Sequence, residues 1–240
     1  MFTHQGKSRT YKHNLKIASL LSFVAGIVNV VGFLSVKKLT TNVTGHFAFF
    51  VDEVFKLHLQ QSLIFFLYIM SFFLGSFVSS LLVEIISRKN DRYIFVIPAV
   101  IEAAIIFLIA VFGNYLTTNN PDLIAFSLLF AMGLQNSLVT RISDAVVRTT
   151  HLTGLFTDLG IELSQILFYK SPEQKQKLYA TIKLRLRIII YFFIGGVIGG
   201  TLYSTFKMTT LILPSIVLII GLIYDTIKYK ILNWTRRTHQ

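Results

Sequence analysis

The chain contains no cysteine and few charged residues. The absence of any thiol among its 240 residues excludes disulfides, thiolate metal sites and cysteine nucleophiles. Only 14% of the residues are charged, whereas a soluble domain usually carries about a quarter. The strand-length alternation that a membrane β-barrel needs is missing as well. These absences argue against a soluble domain and favour helices in a membrane.

Long apolar runs are what the chain has instead. Hydrophobic residues make up 53% of it, the mean hydropathy is +0.64, and several runs approach the ~20 residues that a membrane-crossing helix needs. The sequence therefore predicts an all-α polytopic membrane protein, a single transmembrane domain over 1–240. The first run is too long for a signal-peptide core, so we expect it to be retained as an anchor. Six spans are predicted, at about 15–36, 62–86, 93–113, 121–140, 186–206 and 209–227.

Basic residues orient these spans. The formal net charge is +12, and most Lys and Arg lie before span 1, between spans 2 and 3, within 141–187 and after span 6. The positive-inside rule then places both termini in the cytoplasm, with Lys37 and Lys38 as the exception. No basic face on a soluble fold is predicted, so we do not expect nucleic-acid binding.

One motif occurs twice. Thr41-Asn42-Val43-Thr44-Gly45 and Thr150-His151-Leu152-Thr153-Gly154 both read Thr-x-x-Thr-Gly, and each follows an apolar Gly-x-x-Asn, at 26–29 and 133–136. A threonine before an apolar helix is a candidate N-cap, and the start of a helix attracts anions. A capped helix in a packed corner is the alternative interpretation.

The segments that carry the motif, 40–59 and 149–168, are barely long enough to cross a membrane. Each contains two acidic residues. Counting both as full spans would also send the basic loop at 87–92 outside. We therefore favour short re-entrant helices shielded by protein, with eight full spans as the alternative.

The duplication predicts an inverted repeat. Each unit would hold a span, a motif helix and two further spans, at 15–113 and 121–227. Because three full crossings per unit is an odd number, the second unit would be inverted relative to the first. Secondary transporters with this architecture bind their substrate near the midplane, at the interface between the repeats.

Polar residues inside apolar spans are the candidate substrate ligands. Asn29 and Asn136 need partners across helices or in a solvated cavity, and Gln135 adjoins Asn136. Glu102, near the centre of span 3, costs at least ~2–3 kcal/mol to insert; proton coupling or substrate pairing is our hypothesis, and a structural hydrogen bond the alternative. The predicted substrate-binding set is Asn29, Thr41, Thr44, Gly45, Glu102, Gln135, Asn136, Thr150, Thr153 and Gly154.

A charged cluster follows span 4 and could form a cytoplasmic gate; a solvated loop is the alternative. Arg141, Asp144 and Arg148 recur at i, i+3 and i+7, and so would share one helix face. Glu84 is expected to pair with Arg88 on the surface. The histidines lack metal-site spacing, so we predict no metal and no cofactor. The predicted gating set is Arg141, Asp144, Arg148, His151, Asp158 and Glu162.

The second motif and its surroundings resemble the YoaK-like bacterial membrane family, a domain of unknown function. Gly133-Leu134-Gln135-Asn136-Ser137-Leu138-Val139 and the run from Arg148 to Gly154 carry this resemblance, and 25–33 with 41–46 look like the family's first motif. The family often has Asp at the position of Asn29 in this chain, and Asn at the position of His46. The resemblance implies an integral inner-membrane protein and leaves its activity open.

These observations favour a small secondary transporter, not an enzyme, for a small solute at a midplane site; the helix starts and nearby arginines favour an anion. Six spans are few for a complete pathway, so a homodimer with glycine-rich contacts at 195–200 is a further hypothesis. One alternative is an intramembrane enzyme on a lipid or isoprenoid, using His151 with Asp158 or Glu162, although no nucleophile elbow, metal triad or phosphate loop is present. A non-catalytic scaffold or sensor is the other alternative.

Overall fold

The computed structural model describes residues 10–88, 94–143, 145–169 and 171–224, which contain helices and no strand. In chain order the helices are α1 (Tyr11–Val36), α2 (Val43–Phe55), α3 (Leu59–Ser87), α4 (Val96–Asn119), α5 (Pro121–Ser143), α6 (Leu152–Phe168) and α7 (Pro172–Phe206). A 3-10 turn, Lys207–Leu211, then connects α7 to a further helix, α8, which is described over 212–224.

Within the described residues, five stretches are long and apolar enough to cross a membrane: α1, α3, α4, α5 and Pro172–Tyr224. The last has 53 residues, about 80 Å of helix, far more than the ~30 Å hydrocarbon core. It contains both of the last two predicted spans and is interrupted at Lys207, whose φ is 51°. The chain is thus an all-α, multi-pass membrane protein, and the count of six spans stays a prediction.

The two motif helices are short. Helix α2 has 13 residues and α6 has 17, fewer than the ~20 that a full crossing needs. Helix α7 begins at Pro172, well before the predicted span at 186. Its first turns are charged, and hydropathy could not locate them because a helix continues beyond the apolar region.

Helices α1 and α5 form the centre of the bundle. In each of them, 61% of the residues in the most apolar 18-residue segment are buried inside the bundle, against 17% in α3. The fully buried side chains of Leu21 on α1 and of Leu128, Leu129 and Met132 on α5 belong to one continuous core. Helix α3 instead presents most of its apolar surface outward.

Helices α1 and α7 pack backbone against backbone. A methyl group on Gly26 would overlap the carbonyl oxygen of Phe192, and one on Gly195 would overlap that of Phe23. Gly199 likewise lies against Ile27. The glycines at 195–200 therefore serve close packing inside one chain, as small residues do in membrane bundles.

Helices α3 and α5 repeat that arrangement. A methyl group on Gly75 would overlap the carbonyl oxygen of Phe130, and one on Gly133 would overlap that of Phe72. The hydroxyl of Ser76 also donates to the carbonyl of Gly133 at 3.1 Å. In both helix pairs, then, two glycines each meet a phenylalanine carbonyl of the opposing helix.

The contacts along each pair fix the helix directions. The Tyr11 hydroxyl donates to the carbonyl of Ala180 at 2.8 Å near the starts of α1 and α7, so these helices run parallel. Arg141 pairs with Glu84 near the ends of α5 and α3, which also run parallel. Ten of the described basic residues lie at one end of the bundle, the basic face, and Lys37, Lys38, Lys56 and Lys207 at the opposite face. The basic face carries Lys12, Lys16, Arg88, Arg141, Arg148, Lys175, Lys177, Lys183, Arg185 and Arg187.

Candidate functional site

After α1 the chain folds back into the bundle. Lys37, with a φ of 56°, ends α1, and the Thr41 hydroxyl donates to Oδ1 of Asn29 at 2.7 Å. Asn29 lies seven residues before the end of α1, about 10 Å back along the helix. The Thr40 hydroxyl bonds the carbonyl of Val28 at 3.2 Å. Helix α2 therefore begins well inside the bundle.

After α5 the chain makes the same return. The Thr150 hydroxyl donates to Oδ1 of Asn136 at 2.9 Å, and Asn136 also lies seven residues before its helix ends. Nε2 of Gln135 donates to the Thr149 hydroxyl at 3.0 Å and to the carbonyl of Leu21 at 3.2 Å. Each Gly-x-x-Asn thus holds the motif that follows it.

The capping role predicted for the threonines is wrong in detail. Asn42 caps α2, accepting from the backbone N–H of Gly45 at 3.1 Å, and His151 occupies the N-cap position of α6 without a side-chain capping bond. The first threonine of each motif is already engaged by an asparagine of the preceding helix. Sequence spacing alone could not reveal that competing partner.

Both motifs line one cavity of about 790 Å³. Residues at the starts of α2 and α6 line it, and so do Phe72 of α3 and Phe192 of α7. Arg148 and His151 contribute the ionisable side chains, and no acidic residue is among the described residues that line it. Of the predicted binding residues, the cavity is lined by Asn29, Thr41, Thr44, Gly45, Asn136, Thr150 and Thr153.

The other three predicted binding residues lie elsewhere. Gln135 is fully buried and bonds Thr149 in the segment just before α6, and Gly154 lines an adjoining space. Glu102 is fully buried on α4, outside the cavity lining, and its carboxyl oxygens have no hydrogen-bond partner among the described residues. A role for Glu102 in proton coupling stays a prediction.

A second space, the vestibule, of about 440 Å³, adjoins the cavity toward the basic face. The two share Arg148 and His151. The vestibule continues between the loop after α5, helix α6 and the first half of α7, where Thr181, Leu184 and Arg185 line it. Arg148 and His151 therefore lie between the cavity and the space nearer the basic end of the bundle.

An ion-pair cluster ties α6 to α7 beside the vestibule. Arg185 holds Asp158 through Nη1 at 2.8 Å and Glu162 through Nε at 2.9 Å. Glu162 is 11% exposed, so this contact is shielded from water on one side. Sequence reasoning did not single out Arg185. Acids one turn apart on α6 signal a need for a cation, but only the packing of α7 against α6 shows which one supplies it.

Two other predictions about charged residues are wrong. Glu84 pairs with Arg141 instead of the expected Arg88, because α3 and α5 end side by side. Helix α5 ends at Ser143, so Arg148 does not continue the helix face of Arg141. Asp144 lies outside the described residues. Among the described residues no group of three His, Asp or Glu could hold a metal ion.

A cavity lined by the starts of two short helices, within a bundle of long apolar helices, defines an integral membrane protein with a candidate binding site. The chain matches a family described as a protein of unknown function (DUF1275) over residues 17–224, and it belongs to that family. The UPF0700 transmembrane protein YoaK of Bacillus subtilis (strain 168) is 26% identical over 212 residues, which cover 86% of this chain and 91% of that protein. The YoaK-like resemblance is thereby confirmed. No solved structure matches.

Proposed function

We propose that the protein is a small secondary transporter that moves a small anionic solute across the membrane through the cavity. The observation that carries this proposal is that two helix starts, from separate halves of the chain, bring asparagine and threonine side chains to one cavity inside a membrane bundle. Irregular backbone at such depth is tolerated where it is buried in protein or lines a cavity. Broken helices that meet at a central site are typical of secondary transporters.

We also propose that residues 15–113 and 121–227 form an inverted repeat. Aligning Gly26 with Gly133, Gly45 with Gly154 and Gly75 with Gly195 relates the α1–α7 contact to the α5–α3 contact, glycine for glycine. The threonine–asparagine bonds correspond in the same way. Asn114, near the end of α4, accepts from the backbone N–H of Met208 just after α7, so α5 begins beside the end of α7. Because α1 runs parallel to α7, α1 and α5 run in opposite directions, which supports an inverted relation between the two halves.

An anion fits the electrostatics of the cavity. Helices α2 and α6 enter it with their N-terminal ends, where backbone N–H groups and the helix dipole favour negative charge. Arg148 adds a positive charge, and the lining residues described include no carboxylate. The hydroxyls of Thr44 and Thr153 are available as further donors.

The basic face would lie in the cytoplasm of a bacterial cell, by the positive-inside rule. The vestibule would then be the cytoplasmic entrance to the cavity, lined by Arg148, His151 and Asp158 of the predicted gating set. Glu162 would act there through Arg185. A homodimer remains compatible with the largely exposed apolar face of α3.

One observation bears on the enzymatic alternative. His151 and Asp158 line the same vestibule, as a general base and its orienting acid would. Arg185, however, already holds both Asp158 and Glu162. The carboxylates are therefore engaged in joining α6 to α7, and transport accounts better for their placement.

Flux measurements test the proposal. Purified protein in liposomes would be assayed with radiolabelled formate, acetate and chloride as probe anions. Thr153→Val removes a cavity hydroxyl, and we expect it to lower the flux of the transported anion about tenfold, the effect of about 1.4 kcal/mol. Thr157→Val, one turn further along α6 and outside the cavity lining, is the matched control. Equal flux in the two variants, or no flux above protein-free liposomes, would contradict the proposal.

A further inference from the structure

The two hairpins that follow the motifs, α2–α3 and α6–α7, carry different chemistry at equivalent positions. Phe49 and Asp158 each lie four residues after the motif glycine, while Phe65 and Arg185 each lie ten residues before the helix-packing glycines Gly75 and Gly195. Asp158 and Arg185 form an ion pair at 2.8 Å. Their equivalents, Phe49 and Phe65, are stacked with ring centroids 5.3 Å apart. The same contact is ionic in one half and aromatic in the other.

The aromatic pair belongs to a larger cluster. His46 lies 6.1 Å from Phe65 and 4.9 Å from Tyr68, measured between ring centroids, and Tyr68 lies 4.8 Å from Phe126. His46 is 1% exposed and Tyr68 is fully buried. We call these five residues, His46, Phe49, Phe65, Tyr68 and Phe126, the aromatic cluster. It fills the space between α2, α3 and the start of α5.

Polar bonds fix the cluster at its edges. The Tyr68 hydroxyl donates to Asp122 at the start of α5, and the imidazole Nε2 of His46 bonds the carbonyl of Leu39, which lines the cavity. The ammonium group of Lys38 lies 5.0 Å from the centroid of the Phe65 ring, toward the opposite face. The cluster therefore lies between the cavity and the face that carries Lys38.

The equivalent space in the second half is the vestibule. There, Arg185 and Asp158 line an opening of about 440 Å³ that shares Arg148 and His151 with the cavity. Charged groups keep water at such an opening, whereas packed rings exclude it. The ionic pair thus lines an opening that shares residues with the cavity, whereas the stacked rings are not among the residues that line the cavity, and Phe49 is 48% exposed.

We propose that the aromatic cluster is the closed gate of the cavity on the face opposite the basic face, and that the vestibule is its open mouth. This inference rests on the proposed function, since a transporter exposes its site to one side at a time. His46, Phe49, Phe65 and Tyr68 are then positioning residues that seal the site. In the alternate state these rings separate and the vestibule narrows around Arg185.

The absence of cysteine allows a direct test, because a single introduced thiol is the only one in the chain. Thr44→Cys places that thiol in the cavity, on the half of the site nearer the aromatic cluster. A membrane-impermeant methanethiosulfonate reagent would be added to either side of sealed vesicles. Exposed Lys177→Cys on the basic face and Leu57→Cys on the opposite face identify the two sides.

We expect Thr44→Cys to react from the basic side at least tenfold faster than from the opposite side. Adding Phe65→Ala should raise the opposite-side rate about tenfold or more, while Phe73→Ala, on the exposed face of α3, should not. Equal rates from both sides, or no reaction from the basic side, in the Thr44→Cys protein would overturn the inference. The labelling rates are measured without a transported solute, so this experiment is independent of the flux assay. Equal labelling rates with normal flux would overturn only the gate, and side-dependent labelling without flux would overturn only the transport proposal.

Discussion

The α2–α3 and α6–α7 hairpins place a short helix against a long one in the same way, but different forces hold them together. In the first hairpin, Phe49 stacks on Phe65; in the second, Arg185 holds Asp158 and Glu162. Rings pack without water, while an ion pair at an opening keeps water near it. The comparison teaches that the asparagine, threonine and glycine contacts common to both halves fix how the helices pack. The residues between the short and the long helix of each hairpin then determine how readily water approaches the cavity.

The largest effect should come from the glycines that both halves share. Gly26→Leu and Gly133→Leu each drive a side chain into the carbonyl of a facing phenylalanine. Backbone cannot move aside cheaply at a close helix contact, so we expect both variants to lose nearly all of the monodisperse peak in size-exclusion chromatography after detergent extraction.

Gly160→Ala on α6 is the control, since a methyl group there would meet no atom within 4 Å. It should behave like the wild type or melt slightly higher, because alanine favours helix by ~1 kcal/mol over glycine. If Gly133→Leu kept its monodisperse peak while Gly26→Leu lost it, the two halves would not pack equivalently.

A smaller effect should separate the two hairpins. Arg185→Ala leaves the partly buried Glu162 without its cation, a loss on the order of 1–3 kcal/mol, and Phe65→Ala removes the ring stack and its apolar contacts, on the order of 1–3 kcal/mol. Both variants should melt several degrees below the wild type in detergent.

Salt distinguishes the two losses. Ions screen the partly exposed Arg185 pairs, so 1 M NaCl should shrink the melting difference between Arg185→Ala and the wild type. The difference for Phe65→Ala should not shrink. If salt reduced both differences alike, the ionic and aromatic hairpins would not differ as described.

Sequence patterns predicted the parts of this site but not their assembly. The duplicated motif, the short helices and the Gly-x-x-Asn pairs were readable, because each depends on residues close in the chain. The bond from Thr41 to Asn29 and the Arg185 cluster depend on helices that meet only in the folded bundle. Glu102 illustrates the limit: its position in α4 predicts burial, but not that it lies outside the cavity lining.

The most direct test of the central claim, that the two motif helices meet at one cavity, is a cross-link between them. In the cysteine-free chain, Thr44→Cys combined with Thr153→Cys would place one thiol on each helix start. A short bifunctional thiol reagent should join them, as shown by mass spectrometry of an intact protein carrying one bridging reagent. Thr44→Cys with Thr157→Cys should instead take up two separate reagents. Two separate reagents on the Thr44→Cys, Thr153→Cys protein would contradict the account.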